Sequence, residues 1–207
     1  MKSLRLFSTL AAVVIAAGLA VNVSHAGKDK DKKEAGHSHE YSAEQMAAYQ
    51  EAISPGSHHK QLKNLVGKWN AKIMMWERPG AEATVSEGTA AAEMILGGRF
   101  VMSHMSSEMM GMPFKGVGMV GYDKVTKKHT SLWLDNMGTQ MLYTEGDCEN
   151  HCKTETHYAT VTGPLGNQMK VRFVNNIIDE NKHTFEWYVI GDGGNEFKQM
   201  EIVYTRS

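Results

Sequence analysis

Residues 65–70 read LVGKWN, a Gly-x-Trp placed where helical spacing ends and alternation of polar and apolar residues begins. Upstream, Ser42 and Gln45 have the spacing of a capping box, and Met46, Tyr49 and Ile53 recur at helical intervals until Ser54-Pro55-Gly56 stops the pattern. This predicts one short amphipathic helix. A second helical turn over 59–66 would direct Leu62, Leu65 and Val66 inward. Downstream of Trp69, strand-length segments are bounded by Gly, Asp, Asn or Pro clusters. They predict strands near 69–77, 84–95, 99–109, 114–123, 128–135, 139–147, 152–162, 168–178, 182–190 and 196–206. The alternation is clearest at Phe185-x-Trp187-x-Val189 and Met200-x-Ile202-x-Tyr204.

About ten strands joined by short turns, with no crossover helix between them, predict an all-β fold: an antiparallel up-and-down β-barrel behind a short N-terminal helix. Closure is the economical way for such a meander to hide its edges. With an even strand count the first and last strands pair antiparallel, which brings Trp69 beside Arg206. A guanidinium over an indole contributes about 0.5–2 kcal/mol while the ring plugs the closed end. Gly67 would let the chain turn tightly beneath that ring. Gly67, Trp69 and Arg206 are therefore the expected closure residues. The GVGMVG of the fourth strand has dinucleotide-like glycine spacing, but Tyr122-Asp123 and a Lys-rich turn follow it where that motif needs a helix. Its glycines read instead as positions that allow strand curvature.

The Gly67-x-Trp69 opening and the terminal Arg206 resemble the lipocalin or calycin superfamily. The wider pattern Pro55-Gly56-x-x-His59-x-x-Leu62-x-x-Leu65-x-Gly67-x-Trp69, followed by LGGRF, EMMGMPF, GYDKVTKKH, WLDNMGT and a closing YTR, resembles the domain-of-unknown-function 1579 family over roughly residues 55–206. The resemblance implies a calycin/lipocalin-like barrel and carries no catalytic residues with it. The cysteine pair and the histidine-bearing leader depart from the common pattern.

Ahead of the barrel, Lys2 and Arg5 precede an apolar run from Leu6 to Val23 and a Ser24-His25-Ala26 cleavage pattern, so 1–26 reads as a signal peptide. Residues 27–40, GKDKDKKEAGHSHE, carry dense charge and almost no apolar side chains, and read as a flexible charged tail. Residues 41–66 form the expected helical segment and 67–207 the barrel. The expected location is periplasmic or secreted, with no membrane span after signal removal. A net charge of −1 offers no basic field for nucleic acid.

Strand alternation assigns the polar turns LGGR, DKVTKK, GDCENHC and DENK to the floor beside Trp69. The segments ERPGAEA, EMMGMPF, DNMGT, TGPLG and IGDGGNE fall at the opposite, mouth end. Barrels of this size have room for a guest, and methionine adapts to apolar shapes. Met109, Met110, Met112, Phe114 and Met137 are the rim candidates, with Met75, Trp133, Phe185 and Trp187 lower down. Asp135 reads as a desolvated base or as the cap of the Asn136-Met137-Gly138 turn. The expected partner is a small, largely apolar molecule, with no cofactor and no established catalysis.

Two alternatives stay open. Cys148 and Cys152 read as a disulfide that pins a local turn, as zinc or copper ligands together with His151, or as two free thiols. Fifteen methionines and ten histidines, including His37-Ser-His39 and His58-His59, make a periplasmic copper or zinc protein the second reading. A haem-binding or hydrolytic barrel is the third, with His104, His157 and His183 as axial candidates. No nucleophile elbow or helical metal-hydrolase spacing supports hydrolysis.

Overall fold

The computed structural model describes residues 41–163 and 165–207. The signal peptide, the charged tail and the His37 and His39 expectations lie outside the described residues. The described chain begins with α1 (Ala43–Ile53), α2 (Ser57–Gln61) and a 3-10 turn (Leu62–Leu65). Ten strands follow: β1 (Gly67–Met75), β2 (Thr84–Ile95), β3 (Phe100–Met109), β4 (Met112–Asp123), β5 (Lys128–Asp135), β6 (Leu142–Glu149), β7 (Thr154–Thr162), β8 (Gln168–Asp179), β9 (Lys182–Ile190) and β10 (Glu196–Arg206). Each pairs antiparallel with its neighbours in sequence, and β1 pairs with β10, so the sheet closes.

The expected capping box at the start of α1 is present: the Gln45 amide donates to Ser42 Oγ at 3.1 Å, and the Ser42 amide donates to Gln45 Oε1 at 2.8 Å. The apolar stripe of that helix, Met46, Tyr49 and Ile53, is exposed, so its spacing does not translate into burial. α2 is capped by a histidine. The Gly56 amide donates to His59 Nδ1 at 3.0 Å, which explains the Gly56-x-x-His59 spacing. Along β1, Trp69, Ala71 and Ile73 are buried while Lys68, Asn70 and Lys72 are exposed, the alternation a one-sided sheet requires. Ala71 and Ile73 join Met105, Phe114 and Ile202 in the core.

Strand ends differ from the sequence expectation where local turn chemistry intervenes. β6 starts later because Asp135 caps a turn at 135–137, its Oδ1 accepting from the Met137 amide at 2.9 Å. β7 starts later because Asn150, His151 and Cys152 are all in the left-handed region, with φ of 50°, 55° and 57°. The glycines of GVGMVG serve close packing more than bending, since Gly116 and Gly118 lie against the Trp133 indole and an added Cβ at Gly116 would overlap it.

Trp69 and Arg206 are register partners on β1 and β10, and the Arg206 guanidinium lies 4.2 Å over the indole. The same guanidinium donates from Nε and Nη2 to the Glu180 carbonyl at 2.9 and 2.8 Å, and from Nη1 to the Val66 carbonyl at 3.1 Å. It thus ties the β8–β9 turn to the entry of β1. Gly67 has φ +136°, and an added Cβ would overlap Arg206 Nη1. The other face of the plug is aromatic. His183 meets Trp69 edge-on at 4.5 Å and stacks on Tyr204 at 4.3 Å. Burial, reinforced by the Arg206 charge, holds the His183 imidazolium down to a pKa of about 4.

Two outcomes are expected. Arg206→Lys keeps the charge but loses the fork and the planar stack, and should cost about 1–3 kcal/mol by urea denaturation. An unchanged midpoint removes the clasp. His183 also predicts a pH dependence. Its folded pKa lies below the ordinary value of 6.5, so the unfolded chain binds the extra proton first and stability falls as pH drops from about 6.5 towards 4. His183→Phe keeps the aromatic packing. The wild-type minus variant stability difference should therefore shrink with acid, with a slope approaching about 1.4 kcal/mol per pH unit. Parallel curves across that window contradict a neutral, buried imidazole.

Candidate functional site

The barrel encloses a cavity of about 460 Å³, within the range of small-molecule sites. Its wall runs from Leu65 and Trp69 at the floor to Met109 and Met137 at the mouth, and is dominated by Ile73, Met105, Phe114, Phe185 and Met200. Inward positions alternate along each strand, and Ile73, Met105, Phe114, Phe185 and Met200 pack in one cluster on the β9, β10, β1, β3 and β4 side of the wall. The lining also carries Ser103, Ser107, Ser131, Asn175 and Gln199, a sparse polar set among hydrocarbon. Three of its polar atoms, Trp187 Nε1, Ser107 Oγ and His157 Nε2, are buried without a hydrogen-bond partner among the described residues. A buried indole N–H left unpaired costs free energy that a guest's acceptor would recover.

The sequence-derived candidates divide by position. Met109, Phe114, Trp133, Asp135, Met137 and Trp187 all line the cavity, as does Met75. Met110 and Met112 flank the β3–β4 turn, exposed and outside the lining, because Met110 takes a left-handed φ of 53° that swings the turn away from the interior. Asp135 is engaged on both oxygens: Oδ2 accepts from Trp133 Nε1 at 2.9 Å and Oδ1 from the Met137 amide at 2.9 Å. Those bonds make it a turn cap that orients the Trp133 ring.

The haem candidates scatter. His104 is exposed on the outer face of β3. His183 is held in the floor plug, and His157 lines the cavity from β7 with Nδ1 at 3.0 Å from Thr144 Oγ1.

His157 leads to a second constellation that the sequence reading missed. Gly146 on β6 is register partner to both His129 on β5 and His157 on β7, and an added Cβ there would overlap the His157 ring. Glu155, partner of Cys148, stands between the two imidazoles. Its Oε1 lies 2.7 Å from His129 Nδ1, and its Oε2 lies 3.7 Å from His157 Nε2, an electrostatic contact too long for a hydrogen bond. Burial alone would raise the Glu155 pKa, but the His129 and His157 imidazoles overcome it and hold the carboxyl down to about 2. Beyond His129, His58 of α2 stacks on Tyr122 at 4.0 Å and places Nδ1 3.1 Å from His129 Nε2. Burial and the neighbouring His129 lower the His58 pKa against the pull of Glu155.

Cys148 and Cys152, bonded as a disulfide, complete this group. The His151 between them is exposed and takes no part, because the left-handed turn directs it outward. His58, His129, Cys148 and Cys152 bring one donor atom each within 4.8 Å of all the others. The sequence offered the Cys148/Cys152 pair and the His58-His59 doublet as separate candidates, with nothing to join them to each other or to His129.

The chain belongs to the family described as protein of unknown function (DUF1579), whose profile matches residues 54–206. No curated protein matches it. Among solved structures, the crystal structure of Rv2717c from M. tuberculosis is similar at 11% identity and a TM-score of 0.52, covering 74% of this chain and 99% of that one. A redesigned β-barrel is similar at 14% identity with a TM-score of 0.37, covering 70% of this chain and 93% of its own. At that identity the Rv2717c likeness bears on the fold alone.

Proposed function

We propose that this DUF1579 member is an exported, water-facing barrel that binds a small, largely apolar molecule bearing a hydrogen-bond acceptor. The observation that carries this reading is the cavity of about 460 Å³ with the unpaired Trp187 N–H in its wall. Hydrocarbon lining supplies affinity by burial, at roughly 25 cal/mol per Å² of apolar surface removed from water. The indole N–H supplies orientation. The outer face supports a barrel surrounded by water, since Lys68, Lys72, Glu87 and Lys170 are exposed along the strands where a lipid-embedded barrel needs an apolar band. No described helix is long and apolar enough to cross a membrane. Export rests on the apolar run and the Ser24-His25-Ala26 pattern.

Native mass spectrometry of protein purified from its own cells should show a copurified small molecule. Titration with aromatic probes should give saturable binding that strengthens when a carbonyl is added to the ring. Trp187→Phe should weaken the carbonyl-bearing probe by about 2- to 10-fold, the worth of one hydrogen bond, and leave the plain hydrocarbon unchanged. Absence of saturable binding by any apolar probe overturns the reading. Cell fractionation tests export separately: the expected product is extracytoplasmic, with Gly27 at its N-terminus.

A further inference from the structure

We propose that His58, His129, Cys148 and Cys152 form a tetrahedral zinc site once the disulfide is reduced. Zinc sits about 2.0–2.1 Å from imidazole nitrogen and about 2.3 Å from thiolate sulfur, so the edges of a tetrahedral N2S2 shell are about 3.3 Å between nitrogens and about 3.6 Å between nitrogen and sulfur. Four of the six edges match those lengths. His58 Nδ1 and His129 Nε2 are 3.1 Å apart. His58 Nδ1 lies 3.3 Å from Cys152 Sγ and 3.8 Å from Cys148 Sγ, and His129 Nε2 lies 3.7 Å from Cys152 Sγ. Two imidazole nitrogens facing each other and two sulfurs at this spacing describe a coordination shell drawn in around a point between them.

The surroundings are those of a built site. His129 is 3% exposed, with the Glu155 carboxylate 2.7 Å from its Nδ1 as a charge contact and its Nε2 turned towards His58 and Cys152. Carboxylate–histidine–metal is the usual support for a zinc-bound imidazole. His58 is braced by its parallel stack on Tyr122. The three successive left-handed residues 150–152 turn the chain back so that both cysteines of a five-residue segment face the same two rings. Non-glycine residues adopt that conformation in succession only where surrounding contacts require it. The ligands come from α2, β5, β6 and the β6–β7 turn, so a bound ion would staple the helical segment to the barrel wall.

The chemistry balances with a dithiol reductant. Its two thiols pass two electrons and two protons to the Cys148–Cys152 disulfide; the S–S bond breaks, two cysteine thiols form and the reductant closes its own disulfide. Zn2+ then displaces the two thiol protons and takes the two imidazole lone pairs. Zinc is favoured over copper by the balanced N2S2 donor set and closed tetrahedral spacing.

The test uses purified protein, either air-oxidised or reduced with dithiothreitol that is then removed under argon, titrated with Zn2+ and with Co2+ as a spectroscopic probe. The reduced protein should take up one ion per chain and bind it at least ~100-fold more tightly than the oxidised form. The cobalt form should show the intense visible bands of a tetrahedral ion together with thiolate charge transfer. His58→Ala lies outside the barrel and should lower affinity about 10-fold or more, and Glu155→Gln about 10-fold. His37→Ala/His39→Ala should bind like wild type. Equal affinity of oxidised and reduced protein overturns the site, as do wild-type binding by reduced His58→Ala and a weak, six-coordinate cobalt spectrum. Uptake of Cu+ with no uptake of Zn2+ or Co2+ overturns the zinc assignment. If Cys148→Ser/Cys152→Ser loses its β-sheet circular dichroism, the His58→Ala titration decides.

Discussion

The guanidinium of Arg206 is the constraint on which the barrel's closed end depends. A ten-strand meander has two free edges, and joining them requires the last strand to arrive beside the first in one register. Arg206 marks that register three ways, over the Trp69 indole, on the Glu180 carbonyl and on the Val66 carbonyl. A slip by one residue would reverse the facing of every β10 side chain and remove all three contacts. Lysine could supply the charge but not the planar fork that reaches two carbonyls while stacking on a ring. The helical entry is bound into the same knot, because the Trp69 indole N–H donates to the Leu65 carbonyl at 2.9 Å. Closure, floor and helix-to-strand junction are thus one assembly.

That assembly was legible in the sequence because its signals are local and periodic. Gly67-x-Trp69 opens an alternating run, Arg206 closes one, and parity with an even strand count does the rest. The mouth was legible in part for the same reason: Phe114, Trp133 and Trp187 follow strand alternation into the cavity. Met110 and Met112 lie outside the lining because a left-handed turn residue breaks the alternation, and composition alone gives no sign of that.

The polar half of the floor was not legible, and the reason is sequence separation. His58 and His129 are 71 residues apart, and His58 and Cys148 are 90 apart, with no spacing motif to join them. The neighbour that sequence offered, His151, is the one the turn expels. What brings the group together is a register fact: Gly146 faces both His129 and His157, and Cys148 faces Glu155. Register depends on turn lengths at 124–127 and 150–153, which strand periodicity locates only to within a residue or two.

The two halves of the floor differ in how they respond to charge. On the β1, β9 and β10 side, His183 meets Trp69 edge-on and stacks on Tyr204, and burial keeps both the imidazolium and the phenolate out of reach at neutral pH. On the β5, β6 and β7 side, a single carboxylate faces two imidazoles, one belonging to the cysteine–histidine group and the other to the cavity wall. In a low-dielectric interior charges a few ångströms apart are strongly coupled. A charge change at the cysteine–histidine group therefore alters how much of the Glu155 field is left for His157. The barrel carries one wall that is held by packing and one corner whose electrostatics rest on a single buried carboxylate shared between His129 and His157.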